Sequence, residues 1–286
     1  MTDARIGAGA LPIGVCLRSI RAEPGWWLES ARRLDAAGYA GIWCWDHFTG
    51  QGSDKTVPVV ECWTALSMAA GATEHVAVAP FVLNVMNRHP AVVARMASTL
   101  HIASGGRLIL GIGIGGAKKE HEAYGIDFPE APERVTRLEE AVAVIRALWT
   151  GGPVTRDSLF YPLHEAHAYP VPPTPPRIIV GGESRPGARL AARIGDGWST
   201  FDDNFEAHLP LYLETLEAEG RRREDQHVLV GFQGDWLGDE SVADTPWVRE
   251  PREAWARWQA AGADGAIVLA RNTADVDALV GAVERW

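Results

Sequence analysis

Short β-branched or apolar runs alternate with stretches of helical period along almost the whole chain. The runs predict strands at Ile13–Leu17, Gly41–Trp45, Val76–Leu83, Leu108–Gly113, Arg177–Val180, Gly197–Thr200, Val228–Gln233 and Ala266–Ala270. The amphipathic stretches predict helices at Trp26–Ala37, Val59–Gly71, Ala91–Ala103, Arg134–Trp149, Gly187–Ile194, Asn204–Glu219, Pro251–Ala261 and Val276–Arg285. Glycines such as Gly38, Gly105, Gly195, Gly220 and Gly262 stand just past helix ends, where a left-handed residue stops the helix. The phrase Ala-Ala-Gly at Ala36–Gly38 and again at Ala260–Gly262, each followed by an apolar run, restates one βα unit. Strand and helix alternating in this way, with no shift in composition between halves, predict one α/β domain over residues 1–286, a (β/α)8 barrel. The proline-rich residues 151–176 break the rhythm and are expected to form an insertion with a short hairpin at Val154–Tyr161.

A barrel of this kind reacts at the C-terminal ends of its strands. The positions to inspect are therefore Leu17-Arg18, Asp46-His47, Leu83-Asn84, Gly113–Gly116, Gly181–Ser184, Thr200–Asp202, Gln233–Asp235 and Ala270–Asn272. Composition narrows the function classes. With 286 residues, 47% apolar and 22% charged, the chain can bury a large core. Its net charge of −10 argues against a nucleic-acid or anionic-membrane surface. No apolar run approaches the ~18 residues of a membrane span. Three cysteines, Cys16, Cys44 and Cys62, in a chain without a signal-peptide pattern point to a reducing cytoplasm. The 12 tryptophans suit core layers or a flat ligand.

Two glycine-rich strand ends stand out. Leu110–Gly116 contains G-x-G-x-x-G after a strand, but Gly125, Pro129 and Pro132 interrupt the helix that a dinucleotide fingerprint should open. A main chain bare of side chains, against which a flat ligand can lie, is the better reading. Gly181, Gly182, Glu183 and Ser184 join a strand to a helix start. This is either a phosphate-binding N-terminus or an ordinary turn with Ser184 as its cap. Along the second strand Trp43, Trp45 and His47 share one direction, and Ile42, Cys44 and Asp46 the other. A histidine at the rim can move a proton near neutral pH, or can merely cap a loop. No metal-ligand spacing and no G-x-S-x-G elbow occurs, which removes metal-site and common serine-hydrolase readings.

Taken together, four stretches resemble the bacterial-luciferase-like monooxygenases, a superfamily of TIM barrels dependent on flavin or deazaflavin. They are Ala31–Phe48, Arg88–Gly116, Arg134–Thr155 and Pro175–Thr200, in the family's order and spacing. The resemblance implies an oxidoreductase that transfers a hydride between coenzyme F420 and a small organic substrate. The alternatives are an FMNH2-dependent monooxygenase using O2, with FMN as cofactor, or a barrel that binds the cofactor without turnover. By the same resemblance Asp46 and His47 are the catalytic pair beside the ring, and Ile114, Gly115 and Gly116 lie along its edge. A non-prolyl cis bond at Pro80–Phe81 supports the central ring, and Gly181, Gly182, Glu183 and Ser184 receive the phosphate. Gly116 stands where the sugar-phosphate dehydrogenase branch places a catalytic glutamate, which argues against a glucose-6-phosphate-type substrate. A homodimer would suit such a barrel.

Overall fold

The computed structural model describes residues 11–50, 53–232 and 241–286. In chain order its elements are β1 (Ile13–Leu17), α1 (Pro24–Ala36), β2 (Gly41–Cys44), α2 (Cys62–Ala72), β3 (Ala77–Pro80), β4 (Leu83–Asn84), α3 (Pro90–Ala103), β5 (Ile109–Gly113), α4 (Lys118–Tyr124) and α5 (Ala131–Leu148). They continue with β6 (Val154–Arg156), β7 (Leu163–Ala166), β8 (Arg177–Gly181), α6 (Arg185–Ile194), β9 (Gly197–Phe201), α7 (Asp202–Ala218), β10 (His227–Phe232), α8 (Pro246–Arg249), α9 (Pro251–Ala260), β11 (Gly265–Ala270) and α10 (Thr273–Ala282).

The main sheet runs β3-β2-β1-β11-β10-β9-β8-β5-β4. Its ends meet: Val78 bridges Leu108 in parallel, and the Val78 N–H donates to the Arg107 carbonyl at 3.0 Å. The sheet is thus a barrel in which β3 and β4 are two halves of one stave, as the α/β periodicity leads one to expect. The stave expected as one strand over Val76–Leu83 breaks at a cis peptide, and that bond is Phe81–Val82, one residue beyond the expected Pro80–Phe81. The Phe81 N–H still donates to the Cys44 carbonyl at 2.8 Å, so the ladder carries through Phe81 and the break follows it.

Side-chain alternation divides the core. Ile13, Val15 and Leu17 pack outward with Trp27 and Leu34 under the helices, whereas Cys16, Trp43, Trp45, Ala79, Ile179, Leu229, Ile267 and Leu269 fill the barrel interior. The Trp43 indole lies across the strand beside it, where a Cβ on Gly14 would stand 2.3 Å from Nε1. A Cβ on Gly111 would stand 2.2 Å from the Pro80 carbonyl, so glycine is what lets β5 approach β3.

Helix starts differ from the periodicity where the chain has other partners. α2 begins at Cys62 rather than Val59 because Val59 bridges Ile20 and the Val60 N–H donates to Ser19 O; Glu61 then caps the helix. The hairpin in the insertion pairs β6 with β7, so its second strand lies beyond Tyr161. The Glu140 carboxylate accepts from Ser158 Oγ and from the N–H groups of Leu159 (3.2 Å) and Phe160 (2.9 Å), which turns those residues away from pairing. Gln233–Asp235, the expected end of the seventh strand, lies outside the described residues. Among the described residues no helix is long and apolar enough to cross a membrane, and no cluster of side chains has metal-binding geometry.

Candidate active site

A cavity of about 790 Å³ opens at the C-terminal mouth, a size that accommodates a tricyclic ligand. Its wall draws on the ends of β2, β3, β4, β5, β8 and β9. His47, Asp46, Phe81, Ile114, Gly115 and Gly116 line it together with Gly181, Gly182, Glu183 and Ser184. Pro80 does not: it is buried within β3, its carbonyl facing Gly111, and Val82 takes its expected place in the wall. Phe81 meets both Trp43 and Phe201 edge-on, with ring centroids at 6.0 and 5.6 Å, which makes an aromatic floor beneath the cavity.

The glycines have separate reasons. A Cβ on Gly113 or Gly181 would stand 2.8 Å from the Val82 side chain, so both make room for the chain around the cis peptide. Gly115 has φ +74° and its Cβ would strike the Asn84 amide at 2.4 Å. Gly116 is different, since a Cβ there meets nothing within 4 Å. It faces space that a side chain could fill. At the end of β8 the loop is held by Trp198 Nε1 donating to Gly182 O at 2.8 Å, and Ser184 Oγ accepts from the Gly187 N–H at 3.2 Å as the N-cap of α6. Burial raises the Glu183 carboxyl above its ordinary value, although the side chain still reaches solvent.

The rim pair divides its work. The Asp46 carboxylate, whose side chain is 2% exposed, accepts from Arg88 Nη1 at 2.9 Å, Asn87 Nδ2 at 2.9 Å and the Asn84 N–H at 2.9 Å. Arg88 Nη2 reaches on to Glu61 at 2.5 Å, which ties the end of β2 to β4 and to the start of α2. The Asp46 carboxylate is thereby a clamp on the rim. His47 Nδ1 lies 3.1 Å from Glu120 Oε2, with the two side chains 31% and 4% exposed. The other Glu120 oxygen accepts from the backbone N–H groups of Phe48 and of Thr49, the latter at 2.6 Å. Burial alone would raise Glu120, but the His47 contact and these N–H donors outweigh it and hold the carboxyl below its ordinary value. A carboxylate can only accept, so Nδ1 is the donor in this contact.

Glu120 was not legible as a site residue. It sits in Lys118–Tyr124, a short helix after the glycine-rich strand end, and the one sequence signal is a carboxylate a turn beyond Gly116. Asn84 bonds His121, the wholly buried residue next to Glu120, at 2.9 Å, and His121 Nδ1 donates to the Ala117 carbonyl at 2.9 Å. These bonds fix α4 against β4.

A family model described as luciferase-like monooxygenase matches residues 17–267. The chain belongs to that family. Among curated luciferase-like relatives, the F420-dependent glucose-6-phosphate dehydrogenase of Kineococcus radiotolerans is 35% identical over 218 residues, 74% of this chain and 64% of that protein. A phthiodiolone/phenolphthiodiolone dimycocerosates ketoreductase of Mycobacterium bovis is 36% identical over 50% of this chain and 39% of its own length. The chain therefore spans less than two thirds of the lengths of these relatives. Among solved structures, an F420-dependent secondary alcohol dehydrogenase in complex with an F420-acetone adduct superposes with TM-score 0.81 at 19% identity, covering 95% of this chain and 98% of that one. The EDTA monooxygenase of Chelativorans sp. BNC1 does so with TM-score 0.74 at 15% identity, over 96% and 94%. Both likenesses establish the barrel fold.

Proposed function

We propose that this luciferase-like protein is an oxidoreductase that moves a hydride between coenzyme F420 and a small organic substrate, with His47 handling the proton. The observation that carries the reading is the His47–Glu120 pair at the mouth of a glycine-cradled cavity. The open space at Gly116, the glycine main chain at Gly113, Gly115 and Gly116 and the capped start of α6 fit a flat ring with a phosphate-bearing tail. When bound, the deazaflavin supplies hydride acceptance or donation. His47 would take the hydroxyl proton as an alcohol carbon loses its hydride, and would return it to the carbonyl oxygen in the reverse direction. Glu120 would steady the imidazolium so formed, and Asp46 would position the rim through Arg88. Gly116 offers no carboxylate at that position, so a glucose-6-phosphate-type substrate is disfavoured despite the activity for which the Kineococcus relative is named.

The test has two parts. Titration of the protein with F420 and with FMN, read by tryptophan quenching, should favour F420; tight FMN binding without an F420 response would move the reading to an FMNH2-dependent monooxygenase. His47→Ala should leave F420 affinity within about threefold while turnover of secondary alcohols or ketones falls by about 10²- to 10⁴-fold. Unchanged turnover would leave His47 without a catalytic part.

A further inference from the structure

The cavity uses the ends of six strands, and on the arc it leaves β1 and β11 run side by side in register, Leu17 opposite Ala270. Cys16 and Leu269 face the barrel interior, whereas Leu17 and Ala270 face the helices. The next residues, Arg18 and Arg271, therefore return to the interior side at the mouth. The ladder has not ended there, since the Arg18 N–H donates to the Ala270 carbonyl at 3.0 Å. Two guanidinium groups thus stand as lateral neighbours on the rim.

Only one of them is balanced. Arg271, 7% exposed, places Nε 3.1 Å from Asp275 Oδ2. Asp275 also accepts the Arg271 N–H at 2.9 Å, the Val242 N–H at 3.2 Å and Ser241 Oγ at 3.4 Å, so its oxygens are engaged. Arg18 Nε is buried and meets no acceptor among the described residues. Burial, then repulsion from Arg271 and from the exposed Arg21, pulls the Arg18 guanidinium below its ordinary value, with Asp275 opposing in part. It nevertheless stays charged at neutral pH. A half-buried cation with an unsatisfied donor is costly unless a partner arrives from solution, and here it stands within a chain of net charge −10.

We infer that Arg18, flanked by Arg271, binds an anionic group of the substrate, a carboxylate or phosphate ester, on the β1–β11 side of the mouth. A guanidinium presents parallel N–H donors that match either oxyanion. This rests on the hydride-transfer reading, because it assigns the cavity lined by His47 to the cofactor and the adjoining β1–β11 arc to the substrate.

The experiment is calorimetric titration with acetate and with inorganic phosphate of the F420-loaded protein, in which the cofactor's own phosphate site is filled. The wild type should bind at least one of the two, and Arg18→Met should weaken that binding about 10- to 100-fold. Acetate alone assigns a carboxylate, and phosphate alone a phosphate ester. Anion affinity unchanged in a normally melting Arg18→Met protein overturns the inference, as does the absence of binding by the wild type. Should Arg18→Met not fold, Arg18→Gln, which keeps a donor without the charge, gives the same comparison. The cofactor reading fails separately: if F420 does not bind, the difference between wild type and variant in the unloaded protein still reports on Arg18.

Discussion

His47 and Glu120 are 73 positions apart, and the meaning of each depends on the other. Without the carboxylate either ring nitrogen of His47 could hold the proton; with it, Nδ1 is the donor. A carboxyl whose folded value is depressed contributes stability that is fully present above its unfolded value and is lost as pH falls through the folded one. Glu120→Gln should therefore flatten the acid limb of the unfolding free energy just below the ordinary glutamate range, near pH ~4.3, in urea denaturation at stepped pH. The same variant should lower turnover while leaving F420 affinity within about threefold, because the imidazolium formed in the step loses its counter-charge. Unchanged turnover would reduce Glu120 to a brace for the Phe48–Thr49 turn. The Asp-His sequence at the end of the second strand was readable as chemistry at a rim. That Asp46 turns to Arg88, Asn87 and Asn84 while only His47 meets Glu120 was not, because alternation specifies direction and leaves the partner open.

The staves of the barrel and the longer helices were legible from period alone, to within a few residues at their ends; the short helices α4 and α8 and the hairpin strand β7 were not. The departures share one cause, competition from partners that a local window does not contain. Glu140 draws the Ser158–Phe160 turn out of the hairpin, and the Ile20–Val59 bridge delays the start of α2. At the glycine-rich end of β5 the sequence shows a bare main chain, but the positions there are not equivalent: Gly113 and Gly115 are crowded and Gly116 is open. Gly116→Val should accordingly melt close to the wild type, within about 0.5 kcal/mol, while weakening F420 binding by tenfold or more as the side chain enters the ring's space. A large loss of stability, or full F420 affinity, would contradict the assignment of that space to the cofactor.

For the whole molecule, the cavity is part of the mouth that the barrel builds from six strand ends, so filling it should stabilise the assembly of staves as a unit. F420 at a hundredfold its dissociation constant should add about 2.7 kcal/mol and raise the melting temperature. A melt moved by FMN and not by F420 would instead favour flavin oxygen chemistry in the same cleft. The amino-acid sequence by itself determined the order of strands and helices, the closure they imply and the eight rim positions where chemistry could sit, because period and turn residues are local properties of the chain. Only the tertiary structure decided which of those positions meet. It placed the cis bond at Phe81–Val82, brought Glu120 to His47, engaged Asp46 with Arg88, and set Arg18 beside Arg271 by pairing the first strand with the last. Those contacts arise from ring closure between segments remote in sequence, and such long-range register leaves no mark on local periodicity.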